Sequence, residues 1–275
     1  MTHWLITGIG GGFGRAIARA ALARGDSVVG TTRAAADPDF EALAPGRAHA
    51  LSVDLRDEAA VRAAVVRAEA LMGGIDRLVN NAGHGLLGAI EEVSIAEAQA
   101  LMDINLFGAI RMIQAVLPAM RARRAGHIVN ITSVSGLAPW SGTGIYGASK
   151  YALECVGQTL AQEVKPFGIA VTNVAPGGFR TGFAGTALRV AEREIADYAD
   201  GAHFARRSLS AGAGQEKGDP ERAAAAILTA LNAPEPPLHL LLGEDALHYA
   251  RDQFALVESQ IQTWEALSLS TGFPD

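Results

Sequence analysis

Tyr146 and Lys150 stand four residues apart in the stretch Ile145-Tyr-Gly-Ala-Ser-Lys150, so on a helix they share one face. A free phenol titrates at about pH 10, too high for a general base at neutral pH. An ammonium beside it favours the phenolate and draws the pair towards the working range. Ser133 closes an apolar run, His127-Ile-Val-Asn-Ile-Thr-Ser133, that reads as a buried strand. A hydroxyl there holds a carbonyl oxygen where Tyr146 reaches it. Together these residue types support proton transfer at the oxygen of a carbonyl or an alcohol. A Tyr-x-x-x-Lys pair alone is weak, because helix surfaces produce it by chance; its weight comes from the elements around it.

Those elements alternate strand and helix from the first residues. His3-Trp-Leu-Ile-Thr7 is a short apolar strand, followed at once by Gly8-Ile-Gly-Gly-Gly-Phe-Gly14 and by helical spacing from Arg15 to Arg24, stopped by Gly25. Strand, glycine loop and helix N-terminus form a cradle for a pyrophosphate. Gly8, Gly12 and Gly14 let the backbone approach, Phe13 lies between them, and free N–H groups favour the anion. The spacing is Thr7-Gly8-x-x-x-Gly12-x-Gly14, and the plainer alternative is a glycine-rich turn without a ligand.

Ser27–Thr32 is the second strand. An acidic residue at its end would hold the ribose 2′-hydroxyl of NAD; this chain has Thr31, Thr32 and Arg33 instead. A guanidinium there pairs with a 2′-phosphate, so NADP(H) is favoured and NAD(H) stays open, with Arg33 as a solvated surface residue the alternative. Residues 34–47 read as a connection with one helical turn. Ala48–Val53 is a third strand, ending in Asp54-Leu55, where the carboxylate accepts from an adenine amino group or caps the next helix. Asp57–Met72 is an amphipathic helix closed by Gly73-Gly74, and Asp76–Asn80 a fourth strand. Asn81-Ala82-Gly83 then forms a turn that passes close to the cofactor.

Ser94–Arg121 reads as one long helix, with Ser94 and Glu97 as a capping box. Asn105 in its middle is a poor helix-interior residue and invites an explanation, a core hydrogen bond being the plainest. Gly126–Ser133 is the fifth strand, Ile145–Pro166 a long helix, and Gly168–Ala175 the sixth strand. Pro176-Gly177 opens a rigid turn that runs to Thr181, where a nicotinamide carboxamide finds a partner. Residues 182–218 lose strand character and suit a substrate lid. Asp219 and Pro220 open another helix, Leu238–Leu242 is the last strand, and an amphipathic helix spans Asp252–Leu269 within an extension from 244 to 275.

The bulk numbers bound the function. The chain has 275 residues, about half of them hydrophobic, and a formal charge of −6. One α/β domain over 1–275 is expected, and a nucleic-acid surface is not. The one cysteine, Cys155, excludes an internal disulfide or a multi-cysteine metal site; its place in an apolar helical pattern predicts a buried, inert thiol. No metal site is predicted. The N-terminus goes straight into a strand, and no uninterrupted apolar run approaches the ~20 residues of a membrane span. A soluble, cytoplasmic protein is expected.

On the motifs Thr7-Gly8-x-x-x-Gly12-x-Gly14, Asn80-Asn81-Ala82-Gly83, Asn105, Ser133, Tyr146-x-x-x-Lys150 and Pro176-Gly177, the sequence resembles the short-chain dehydrogenase/reductase family over essentially its whole length. The resemblance implies a doubly wound Rossmann fold with a seven-stranded parallel sheet and helices on both faces. It also implies a catalytic tetrad on Asn105, Ser133, Tyr146 and Lys150. Tyr146 then passes the proton, Lys150 lowers its pKa and binds the nicotinamide ribose, Ser133 positions the carbonyl, and Asn105 holds a water. Gly10 and Gly11 stand where many members carry serine or a basic residue. The Phe179-Arg180-Thr181 turn and the C-terminal extension look like members acting on apolar alcohols or ketones. Leu137, Trp140, Phe179 and Phe183 are candidate pocket residues, as is His84, whose alternative role is a hydrogen-bonded wall.

Three functions compete: an NADPH-dependent carbonyl reductase, an NAD-linked dehydrogenase of secondary alcohols, and a dinucleotide sensor without chemistry. The two long helices resemble those that pair across subunits in this family, so a homodimer or homotetramer is expected.

Overall fold

The computed structural model describes residues 1–33 and 37–273; residues 34–36 of the expected connection and the last two of the extension lie outside them. In chain order the elements begin β1 (His3–Thr7), α1 (Gly12–Ala23), β2 (Ser27–Thr32), α2 (Pro38–Glu41), β3 (Ala48–Ser52), α3 (Glu58–Met72), β4 (Arg77–Asn80) and β5 (Gly85–Leu87). Next come α4 (Ile95–Met102), α5 (Ala109–Arg123), β6 (Gly126–Ile131), α6 (Gly144–Val164) and β7 (Ile169–Pro176). The chain ends with β8 (Leu188–Val190), α7 (Ala202–Ala211), α8 (Pro220–Leu231), β9 (His239–Leu242) and α9 (Glu244–Leu269).

Successive strand residues face opposite sides of a sheet, and Trp4, Leu5 and Ile6 are all fully buried. Such a strand has to be covered on both faces, as in parallel sheets. The structure is accordingly a seven-stranded parallel sheet in the order β3-β2-β1-β4-β6-β7-β9. Trp4, Ile6, Val79, Val129 and Val174 meet α1 and α8 on one face. Leu5, Leu78 and Ile128 meet Val61 of α3, Met112 of α5 and Leu160 of α6 on the other. The order reverses between β1 and β4, and the carboxyl ends of these strands carry the motifs.

Capping residues set the helix starts. Asp57 accepts from the N–H groups of Ala59 and Ala60, Ser94 and Glu97 bond reciprocally, and Asp219 accepts from Glu221 N–H beside Pro220. Each satisfies donors that the first helical turn leaves unpaired.

Four expectations need correction. The long helix from Ser94 is not continuous: Asp103–Gly108 between α4 and α5 is a π-helical segment, with Asn105 in it. Arg111 pins this widened turn by donating to Asp103 Oδ1 (2.8 Å) and to Leu55 O (3.1 Å). The stretch Ile95–Arg123, 29 residues, is long and apolar enough to cross a membrane, although its apolar residues are broken up by charges such as Asp103 and Arg111. Here Leu101, Met112, Ile113, Val116 and Met120 of that stretch are buried in the body.

The C-terminal helix begins at Glu244, eight residues before Asp252, because Glu244 and Asp245 supply a favourable acidic first turn. Cys155 is exposed; Lys150, Leu153, Glu154 and Gly157 occupy the inner face of α6, which turns residue 155 outward. The 182–218 segment contains β8, paired in parallel with β5 in a second small sheet, and α7.

Candidate active site

Ser133 follows the end of β6, and Tyr146 and Lys150 lie in the first two turns of α6. Close packing holds strand end and helix together: a side chain on Gly136, five residues beyond the strand, would come within 2.9 Å of the main chain of Lys150. Ser133 accepts from the N–H of Ser135 (3.1 Å) and is hydrogen-bonded to the Tyr146 hydroxyl. Lys150 Nζ donates to Ile131 O at 2.9 Å and stands 5.9 Å from the centre of the Tyr146 ring.

Electrostatics here differ from the expected lowering of the phenol by Lys150. Desolvation pushes Tyr146 up to about 12, against the pull of its bond with Ser133. Desolvation also brings Lys150 down to about 8, opposed by the negative charge of Glu154 one turn along α6. Removing water penalises the charged form of both groups. Tyr146 is thereby held as a neutral phenol, a proton donor.

Asn105 is buried, and its amide is occupied. Its Nδ2 donates to His84 O (2.9 Å) and Ser149 Oγ (3.1 Å), and its Oδ1 accepts from His84 N–H (3.0 Å). These bonds tie the π-helical segment to the chain just after Asn81-Ala82-Gly83. Its side chain is thus spent on positioning the loop beside Lys150, and Gly83 makes room for it, since a Cβ there would meet Asn105 Oδ1 at 2.9 Å.

The glycine loop fits a dinucleotide. Gly8 and Gly12 have φ of +75° and +55°, a region that strains other residues. A Cβ on Gly14 would stand 2.4 Å from Gly8 O, whereas on Gly10 or Gly11 it would meet open space. Helix α1 has Gly11 at its N-cap and so no side-chain cap, leaving N–H groups beside Phe13 for an anion. Asn81 locks the loop by donating to Thr7 O (2.8 Å) and Gly8 O (3.0 Å), and Ala82 N–H donates to Thr7 Oγ1 (3.0 Å). Across the loop, Thr181 lies 3.2 Å from where a Gly12 side chain would be.

At the adenosine end Arg33 is exposed. Asp54 makes a two-pronged pair with Arg56 (shortest contact 2.6 Å) that lowers its carboxyl to about 2, with Arg33 adding to the attraction. Leu55 lies under the π-helical segment, its Cβ 3.1 Å from where a Gly108 side chain would be.

The candidate pocket residues separate into three places. Phe183 packs on Tyr146 with ring centres 5.6 Å apart and against Gly85, where any side chain would collide with it. His84 sits beside them, half-buried, and desolvation lowers its pKa. Trp140 meets Tyr249 of α9 edge-on at 4.9 Å, and Leu137 O accepts from the Tyr151 hydroxyl. Phe179 packs on Phe13 with the rings tilted and their centres 5.1 Å apart, which puts it by the glycine loop.

Two supporting residues had no motif to announce them. Asp245, in the first turn of α9, accepts from Gly178 N–H at 2.7 Å, and the Pro176-Gly177 turn accommodates it only because Gly177 lacks a side chain. Arg15 pairs with Asp37 at 2.6 Å and lies over the Phe40 ring. Among the described residues there is no cluster of three metal-ligating groups.

Comparison with known proteins agrees with this geometry. The short chain dehydrogenase family model matches residues 2–190. The chain is 35% identical over 273 residues to oxidoreductase BOA17 of Botryotinia fuckeliana, covering 98% of each. To a 3-ketodihydrosphingosine reductase of Bacteroides thetaiotaomicron it is 36% identical over 242 residues, 87% of each. Among solved structures, a short-chain dehydrogenase from Streptomyces avermitilis superposes with a TM-score of 0.92 at 41% identity, over 99% of this chain and 100% of the other. A short chain dehydrogenase/reductase from Burkholderia phymatum in complex with NAD gives 0.81 at 27% identity, over 94% and 95%. A serine dehydrogenase complexed with NADP+ gives 0.74 at 27%, over 87% and 93%.

Proposed function

The chain belongs to the short-chain dehydrogenase family, an oxidoreductase acting on CH–OH groups with a nicotinamide dinucleotide, and on that premise we propose that it is an NADP(H)-linked reductase of apolar carbonyl compounds with Tyr146 as general acid. The observation that carries the reading is the Tyr146 environment: a phenol kept neutral by desolvation, bonded to Ser133, backed by Lys150 and faced by the apolar ring of Phe183.

The bound dinucleotide supplies the hydride. Ser133 holds the carbonyl oxygen, and Tyr146 gives its proton to that oxygen as the alcohol forms. The Lys150 ammonium offsets the phenolate that results, and one of its three hydrogens is already spent on Ile131 O. Gly8, Gly12, Gly14 and the N–H groups at the start of α1 take the pyrophosphate. Oxidation of an alcohol runs the same proton path backwards.

Arg33 supports NADP(H), because it stands at the end of β2 where a carboxylate would repel the 2′-phosphate. The NAD-linked alternative draws on the neighbouring cations: Arg56 is engaged by Asp54 and Arg15 by Asp37, so a 2′-phosphate would rest on Arg33 alone. An apolar substrate is supported by Phe183 and Leu188 against Gly85, and by the relative that is a 3-ketodihydrosphingosine reductase. A cytoplasmic homo-oligomer is part of the same proposal, with Ile95 and Phe107 of the broken long helix exposed at its surface.

Side-by-side fluorescence titrations of NADPH and NADH are the test. A preference for NADPH of about tenfold or more, ~1.4 kcal/mol, that disappears in Arg33→Ala is the expected result. A preference for NADH turns the assignment to alcohol oxidation with NAD. Binding of either with no turnover across a carbonyl and alcohol panel turns it to a sensor.

A further inference from the structure

A line of polar side chains crosses the centre of the sheet. Parallel register sets Asn80 of β4 opposite Asn130 of β6, Asn130 opposite Asn173 of β7, and Asn173 opposite His239 of β9. Asn80 Nδ2 donates to Asn130 Oδ1 and Asn130 Nδ2 to Asn173 Oδ1, each at 3.0 Å. Asn173 Nδ2 then donates to Glu154 Oε2 (2.8 Å) and Glu154 O (3.0 Å). All three amides are buried, as is Glu154, 2% exposed. The carboxylate and carbonyl of Glu154 decide which way the amides point, since a reversed Asn173 would aim its own oxygen at two acceptors. Every amide therefore donates towards Glu154, and the acceptor left over, Asn80 Oδ1, lies unpaired at the far end of the row.

Glu154 also accepts from Thr132 Oγ1 at 2.6 Å, the residue before Ser133, and its Oε2 lies 3.4 Å from His239 Nδ1. On α6 it follows Lys150 by one turn, on the same inner face. Gly157 lets the row reach it: a Cβ there would sit 2.0 Å from Asn173 Oδ1. A carboxylate is costly to bury, and this one is surrounded by donors built for it.

We propose that Glu154 is a positioning residue for the reaction: its buried carboxylate, fed by the asparagine row, fixes the Thr132–Ser133 strand end and keeps Lys150 an ammonium. The inference rests on the tetrad reading above. The titratable groups around the pair are Tyr146 from α6 and His84 from the β4–β5 turn on the Lys150 side, and His239 from β9 on the Glu154 side. The attraction of Glu154 opposes the desolvation that lowers Lys150, so removing its charge narrows the pH range in which Lys150 stays protonated.

The test is the pH dependence of NADPH-linked reduction of trans-1-decalone by the full chain. In Glu154→Gln the alkaline limb of kcat/KM moves to lower pH by about half a unit or more, and Glu154→Asp returns it towards wild type. A purely structural role lowers the melting temperature and leaves the limb in place, which overturns the proposal. Carbon-13 NMR of glutamate-labelled wild-type protein is an independent readout that needs no variant. A carboxylate signal for Glu154 at pH 7 supports the proposal, and a neutral carboxyl overturns it. Tyr146→Phe separates the two levels: if it abolishes turnover while Glu154→Gln leaves the limb unmoved, the tetrad stands and this inference falls. Turnover retained in Tyr146→Phe removes the reading beneath both.

Discussion

The β6–α6–β7 block and the 182–218 segment are built on opposite plans. In the block, Ser133 and Lys150 are buried and hydrogen-bonded to main chain, and Tyr146 keeps partial exposure. The polar groups behind them form a closed network in which nearly every donor has an acceptor, so each position is determined several times over. The 182–218 segment instead hangs on three carboxylates of the β5–α4 connection and α4. Glu91 accepts from the Tyr198 hydroxyl (2.7 Å), Glu92 from Ile195 N–H and His203 Nε2 (2.7 Å each), and Glu97 from Glu192 N–H (3.0 Å). Proton transfer needs fixed distances, and the block supplies them.

The largest effect should come from the one reactive group of the rigid block. Tyr146→Phe removes only a hydroxyl and is expected to lower kcat by about 10²–10⁴-fold, with NADPH affinity nearly unchanged in the fluorescence titration. Near-wild-type turnover would move the acid to another residue.

A next, smaller break aims at the packing of the block. Gly157→Ala drives a methyl into Asn173 and is expected to cost about 1–3 kcal/mol of stability, as overpacking does. Calorimetry reads that cost, and a melting temperature equal to wild type would show the block to be softer than the comparison claims.

The smallest effect belongs to the 182–218 segment. Glu92 is held at about 2, below its ordinary 4.5: the N–H groups of Ile195 and Ala89 and the ring of His203 outweigh the burial that would raise it. A depressed folded pKa means that its contribution is present above about pH 4.5 and is lost as pH falls towards 2. Proteolysis at the 191–201 stretch should therefore quicken below pH 4.5 in the wild type. Glu92→Gln should show the faster cleavage already at pH 7, with KM raised and kcat little changed. Cleavage equally slow in the variant at pH 7 would place the segment's attachment elsewhere.

What the sequence disclosed, it disclosed for a local reason. Strand, glycine loop and helix follow one another at Thr7–Arg15, and Tyr146 and Lys150 share a helix face by spacing alone. The caps at Ser94 and Asp219 act within three residues of themselves, so they could be read directly, whereas the cap of α3 is Asp57 and not Asp54, whose carboxylate is taken by Arg56. The π-helical turn at Asn105 was not legible, because it arises from contacts with His84 and Ser149, 21 and 44 residues away. The outward turn of Cys155 was hidden for a related reason. Two charged residues, Lys150 and Glu154, take the inner face of α6, which a hydrophobic pattern assigns to apolar side chains.

By itself the sequence determined the alternation of the seven sheet strands with their covering helices, and the spacing of the glycine loop and of Tyr146 and Lys150, since these are set by short-range spacing and residue chemistry. Only the tertiary structure decided that Asp245 braces the Pro176-Gly177 turn and that Phe179 belongs to the glycine loop. It alone decided that desolvation, against the pull of Ser133, sets the proton on Tyr146. Hydrogen bonds between distant strands and the loss of water around a side chain depend on which elements meet, and strand register brought Asn80, Asn130 and Asn173 into one line ending at Glu154.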